Sequence, residues 1–144
     1  MQAGQLEQAQ RFFETARDLQ PECGEAYGGL AIIHQKRLDH SAAFEMYLKC
    51  LELDTDNFMA LLGLFQTSCE MGTFSKIIHY LEVYLIRNPA DTSVLFCLAT
   101  LYAREGRLHE ARRATLEILA HEPDKEGAAE LLAELDDALA GANG

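Results

Sequence analysis

The chain has 144 residues, of which 49% are hydrophobic and 24% charged, with a formal net charge of −11. That composition is globular and long enough to bury a sizeable core, and its acidity argues against general nucleic-acid binding, which needs clustered Lys and Arg to meet phosphates. No run approaches the ~20 apolar residues of a membrane span, and the opening MQAGQLEQAQRF lacks the basic and apolar regions of a signal peptide, so neither membrane insertion nor nucleic acid is expected and a cytoplasmic location is.

Taken in order, residues 5–19 place Leu6, Ala9, Phe12, Phe13, Ala16 and Leu19 at helical spacing before Pro21. A second helix is predicted over 25–37, with Tyr27, Leu30, Ala31 and His34 on one side, and a third over 41–53 with Ser41 as its cap. After the polar turn 54–57, helices over 58–71 and 75–87 are hinged at Gly72, and Asn88-Pro89 stops the second. Helices over 92–105 and 109–121 follow, hinged at Gly106. The last, over 126–139, keeps Ala129, Leu132, Ala133 and Leu135 apolar on an otherwise acidic helix; it reads as a terminal cap, with AGANG frayed beyond it.

The pattern repeats. Leu98, Ala99, Gly106, Leu108, Ala111 and Pro123 fall 34 residues after Leu64, Phe65, Gly72, Phe74, Ile77 and Pro89, and a fixed period of that length marks a stacked array of helix pairs. These residues resemble the tetratricopeptide repeat. Residues 24–57 supply Tyr27, Leu30, Ala31, Ala43, Tyr47 and Cys50, with Thr55 where the family has Pro; residues 92–125 supply Leu95, Leu98, Ala99, Tyr102, Ala111 and Pro123, while Thr115 and Ile118 depart. The resemblance implies an all-α, right-handed α-α superhelix of about eight helices. It makes 1–144 a single array: 1–23 as the second helix of a partial repeat, repeats at 24–57, 58–91 and 92–125, and a capping helix at 126–140.

Two departures carry expectations. Phe65, Ile77 and Tyr84 stand where the family keeps small residues, so the middle pair should be spread apart and the superhelix locally altered. Gly4, Leu6, Ala9, Phe13, Ala16 and Pro21 match a turn and second helix whose first helix is missing. An uncovered apolar edge then calls either for further chain upstream or for self-association.

Catalytic constellations are hard to find. Cys23, Cys50, Cys69 and Cys97 form no CxxC and read as reduced thiols; the five histidines show no metal-ligand spacing, and no nucleophile elbow or phosphate-cradling loop is present. A non-enzymatic chain without metal or cofactor is expected. Gly28-Gly29 lies within a helix, where two glycines cost about 2 kcal/mol relative to alanine, which implies close packing or an approaching partner.

The resemblance implies a concave groove lined by the first helices of successive repeats. Its positions here are Gly28, Ile32, Gln35 and Lys36; Leu62, Gln66, Cys69 and Glu70; Phe96, Thr100, Ala103 and Arg104; and Glu130 and Glu134 on the last helix. Ile32, Leu62 and Phe96 would form an apolar strip suited to a protein or peptide segment with apolar anchors, with Lys36 and Arg104 orienting it and the two glutamates favouring a basic flank, unless these side chains simply finish the helix packing. Gly28 and Ile32 occupy positions where the chaperone-binding branch of the family holds a terminal carboxylate, so no such clamp is expected. The chain thus reads as a scaffold or adaptor. The alternative is a structural assembly unit that self-associates through its first helix or through Tyr80, Val83 and Ile86 on the helix at 75–87, which is apolar nearly all round.

Overall fold

The structure is a computed structural model that describes the backbone of residues 3–143 and the side chains of 4–141. Its elements are α1 (Ala3–Leu19), α2 (Gly24–Lys36), α3 (His40–Leu53), α4 (Phe58–Met71), α5 (Ser75–Arg87), α6 (Thr92–Arg104), α7 (Leu108–His121) and α8 (Ala128–Asn143). The chain divides into two compact units between Tyr80 and Leu81. The division falls inside α5, in the helix pair that carries Phe65, Ile77 and Tyr84.

The turns explain the helix limits. Asp39, Thr73 and Arg107 donate their backbone N–H to the carbonyls of His34, Ser68 and Tyr102 at 2.9, 3.1 and 2.8 Å. This is one closure repeated at the sequence period, and it satisfies carbonyls that a helix end leaves open. The closure needs a left-handed residue before the donor, and Leu38, Gly72 and Gly106 take φ of 61°, 71° and 78°. Leu38 does so with a side chain, against the steric preference of L-residues.

That turn also corrects the cap of α3. With Leu38 left-handed, Asp39 is the last residue before helical geometry, and its Oδ1 accepts from Ala42 N at 3.2 Å. Ser41 already lies inside the helix. Asn57 and Asp91 cap α4 and α6 in the same manner, accepting from Ala60 N and Val94 N at 3.0 and 3.2 Å. At the other end, Gly127 takes φ 87° and delays α8 to Ala128. The helix then runs through Asn143, and the last residue of the AGANG stretch, Gly144, lies outside the described residues. Its buried face is Ala128 and Leu135, flanked by half-buried Leu131, Leu132 and Leu139, while Ala129 and Ala133 are exposed.

In the first unit, helices approach where side chains are absent. A Cβ on Gly29 would lie 2.5 Å from the Phe13 ring, and one on Gly63 would lie 2.2 Å from the Tyr47 ring. Both aromatic rings therefore occupy space that only glycine leaves. Around them Leu30, Leu51, Leu61, Leu64 and Ile77 are fully buried, each contributing roughly 1.5–3 kcal/mol by leaving water. The buried hydroxyl of Thr67 donates to the Gly63 and Leu64 carbonyls at 3.0 and 3.1 Å, so it adds no unpaired polar group.

In the second unit Leu95, Ile118 and Ala128 form a core onto which Leu85, Phe96 and Leu119 pack. The departures Thr115 and Ile118 are absorbed here: both are wholly buried, and the Thr115 hydroxyl donates to the Ala111 carbonyl at 2.7 Å. An Arg112–Asp136 ion pair at 2.6 Å joins α7 to α8. The Tyr102 hydroxyl donates to Glu82, with the Arg107 guanidinium 4.5 Å from the ring centroid.

Two stability changes are expected in urea denaturation. Leu38→Gly should gain about 1 kcal/mol, because the left-handed penalty disappears while the lost side chain was 75% exposed. Gly63→Ala should lose about 1–2 kcal/mol, since overpacking against the buried Tyr47 ring outweighs alanine's better helix propensity.

Candidate functional site

Residues Glu25, Gly28, Ile32 and Gln35 recur along α2 at helical spacing and share one stripe. Met59, Leu62, Gly63 and Gln66 do the same along α4. Between the stripes lies a hollow of about 480 Å³, closed by Phe13 of α1, Tyr47 of α3 and Asn57 before α4. Ile32 and Leu62 stand at its mouth, 43% and 41% exposed, with Met59 at 68%. Solvated apolar side chains around a concavity are what a partner's side chain can desolvate.

The polar groups are ordered from beneath. Tyr47 Oη donates to Gln35 Oε1 at 2.6 Å, and Gln35 Nε2 donates to Gln66 Oε1 at 3.1 Å, which bridges the two stripes by amides. Burial first, then the neighbouring Cys50, raises the Tyr47 hydroxyl above its ordinary pKa, so it stays a donor. Cys50 lies 3.7 Å from the Cβ position of Gly28 and accepts from Asn57 Nδ2 at 3.4 Å. Its thiol is pushed up to about 11, by burial and then by Asp54, and is chemically inert at neutral pH. Among the described lining residues Glu25 alone carries a formal charge.

The structure thus brings together Ile32, Gln35, Leu62 and Gln66 of the sequence-predicted groove. Lys36, Cys69 and Glu70 are exposed outside its lining, and Glu70 Oε2 faces His40 Nε2 at 4.0 Å. In the second unit the half-buried Phe96 packs against the core of Leu95, Ile118 and Ala128, its ring 3.2 Å from the Cβ position of Gly127. The Thr100 hydroxyl donates to the Cys97 carbonyl of its own helix at 2.8 Å. Arg104, Glu130 and Glu134 are exposed. On α5, Ile86 is 79% exposed while Tyr80 and Val83 are half-buried, and the Tyr80 ring meets His79 edge-on with centroids 5.1 Å apart.

Of the Gly28-Gly29 pair, packing accounts for Gly29, whose Cβ would strike Phe13. Glu25 and Met59 were missed by sequence reading, although each continues a helical stripe already in view; Phe13 and Tyr47 carry no such signal, because they enter from other helices. A smaller hollow of about 250 Å³ in the second unit is lined by Glu82, Tyr102, Glu110, Arg113 and Glu117 over Leu85 and Leu98. It contains none of the sequence-predicted groove residues. Among the described residues no helix is long and apolar enough to cross a membrane.

Helix pairs closed at a 34-residue period, with small residues buried between them, define the class: the chain has the tetratricopeptide-repeat fold. It is similar to YrrB, a tetratricopeptide-repeat protein with an unusual peptide-binding site, at TM-score 0.74 and 22% identity over 92% of this chain and 68% of YrrB. MamA superposes at TM-score 0.74 with 18% identity, covering 95% of this chain and 80% of MamA. The first tetratricopeptide-repeat region of Spaghetti (RPAP3), solved with the HSP90 peptide SRMEEVD, gives 0.65 and 17%, covering 81% and 93%. No protein-family model and no curated protein matches the chain, and the likeness is one of fold.

Thiol labelling should report this geometry. With maleimide near pH 8, exposed Cys69 should react first and Cys50 should react only on unfolding. An ultraviolet thiolate titration should place the Cys50 midpoint near 11.

Proposed function

We propose that the chain is a non-catalytic interaction module that holds a segment of a partner protein in the hollow between α2 and α4. The observation that carries this reading is the juxtaposition of solvated Ile32, Leu62 and Met59 around a concavity whose amides are already ordered by Tyr47. Apolar anchors entering such a site supply most of the binding energy from few contacts, and pre-ordered polar groups reduce the entropy lost on binding. Peptide binding by YrrB and by the Spaghetti (RPAP3) region supports the reading by analogy of fold.

The peptide held by Spaghetti (RPAP3) is acidic at its end, whereas here the charged lining residue is Glu25 and Gly28 and Ile32 offer no cation. The occupant is therefore of a different kind. Self-association is the second reading, favoured by the 79% exposure of Ile86 and the 68% exposure of Phe12.

A pull-down with the intact chain, compared with its Ile32→Asp/Leu62→Asp variant, tests the proposal. Captured partner should fall at least ~10-fold, with helical content and light-scattering mass unchanged, because both side chains are solvated and their loss opens no core cavity. Unchanged capture would refute the groove reading. A mass above that of a monomer that drops in Val83→Glu/Ile86→Glu would favour self-association instead.

A further inference from the structure

Gly29 is small because Phe13 fills the space of its side chain. Gly28 has no such reason. A Cβ there would meet Cys50 Sγ at 3.7 Å, an ordinary contact, and nothing else within 4 Å. Alanine would fit and would favour the helix, so packing does not explain the missing side chain. The position lines the hollow, one turn after Glu25 and one turn before Ile32.

The ends of the hollow differ in chemistry. Glu25 lies in the first turn of α2 near the 54–57 turn, whose Asp54 and Asp56 are exposed; Gly24 links the two regions, its Cβ position lying 3.7 Å from the Cys50 carbonyl oxygen and 3.9 Å from Leu53 Cβ. The far end carries the Gln35–Gln66 amide pair, where Gln66 uses its carbonyl oxygen on Gln35 and keeps an N–H₂ group for an acceptor. At a rise of 1.5 Å per residue the stripe from Glu25 to Gln35 spans roughly 15 Å, the reach of about five extended residues.

Building on the function proposed above, we infer that Gly28 is a recognition residue. It leaves room for the apolar side chain of a short basic-apolar peptide segment, whose Lys or Arg meets Glu25 and whose main-chain carbonyl accepts from Gln66. Charge complementarity at the Glu25 end selects the basic residue. The absent Gly28 side chain admits the neighbouring anchor between Ile32, Met59 and Leu62. A free carboxyl terminus plays no part.

The test uses a phage-displayed library of random dodecapeptides selected on the intact chain, with consensus peptides synthesised free and C-terminally amidated. The consensus should pair an apolar residue with an adjacent Lys or Arg, and amidation should not change affinity. Anisotropy titrations should show Gly28→Leu weakening binding by at least ~30-fold and Gly28→Ala by ~3- to 10-fold, the scale of added methylenes in a fitted pocket. Glu25→Gln should weaken it ~3-fold or more, in a manner screened by salt. The melting temperature of Gly28→Ala should equal or exceed that of the wild type, by up to roughly 4 °C. A lower melting temperature would assign Gly28 to packing and overturn the inference. So would an acidic consensus, dependence on a free carboxylate, or failure to enrich any basic-apolar sequence. If Leu62→Asp abolishes binding while the Gly28 variants bind as the wild type does, the inference fails and the groove reading stands; if Leu62→Asp also binds normally, the groove reading itself fails.

Discussion

The first unit depends on the contact between the Tyr47 ring and the bare backbone of Gly63. The ring occupies the volume of a missing Cβ at 2.2 Å, which lets α3 and α4 approach closely while a large aromatic stays buried. Its hydroxyl would be costly to bury alone, and it is satisfied by Gln35, which in turn orders Gln66. One packing event therefore positions the polar end of the hollow. A smaller ring-free residue at 47 would leave both amides unsupported, and a side chain at 63 would push the ring and its hydroxyl out of register. Site and core are physically the same object here.

The turns impose a different constraint. The same backbone closure recurs at Asp39, Thr73 and Arg107, and two of the three turns use glycine for the left-handed residue. Leu38 accepts strain at the third. Within each turn the geometry is local, so it withstands changes elsewhere; the departures Thr115 and Ile118 are absorbed in the packing. Thr115 bonds its own helix, and Ile118 is wholly buried in the second core with Leu95 and Ala128.

Much of the fold was legible because its signals are local. Apolar residues at helical spacing located the eight helices of the described residues, and Gly72 and Gly106 marked their turns. The Ser41 cap failed because Leu38, carrying no glycine signature, set the turn one residue pair earlier. Which residues of α8 are buried was not legible, because Ala129 and Ala133 look as apolar as the residues that are buried. In the site, Ile32, Gln35, Leu62 and Gln66 followed from register, and Glu25 and Met59 could have. Phe96 could not be sorted: an aromatic on a first helix serves a groove or a core equally well, and only the structure shows its half-buried ring packed on Leu95, Ile118 and Ala128 beside Gly127.

By itself, then, the sequence determined the period, the helices and the residue types along each helical face, because these follow from backbone chemistry within a few residues. The tertiary structure decided which side chains meet. Only it separates Gly29, which makes room for Phe13, from Gly28, which makes room for nothing in this chain. The reason is physical: a missing side chain has no pattern of its own, and its meaning lies in whatever fills the space it leaves.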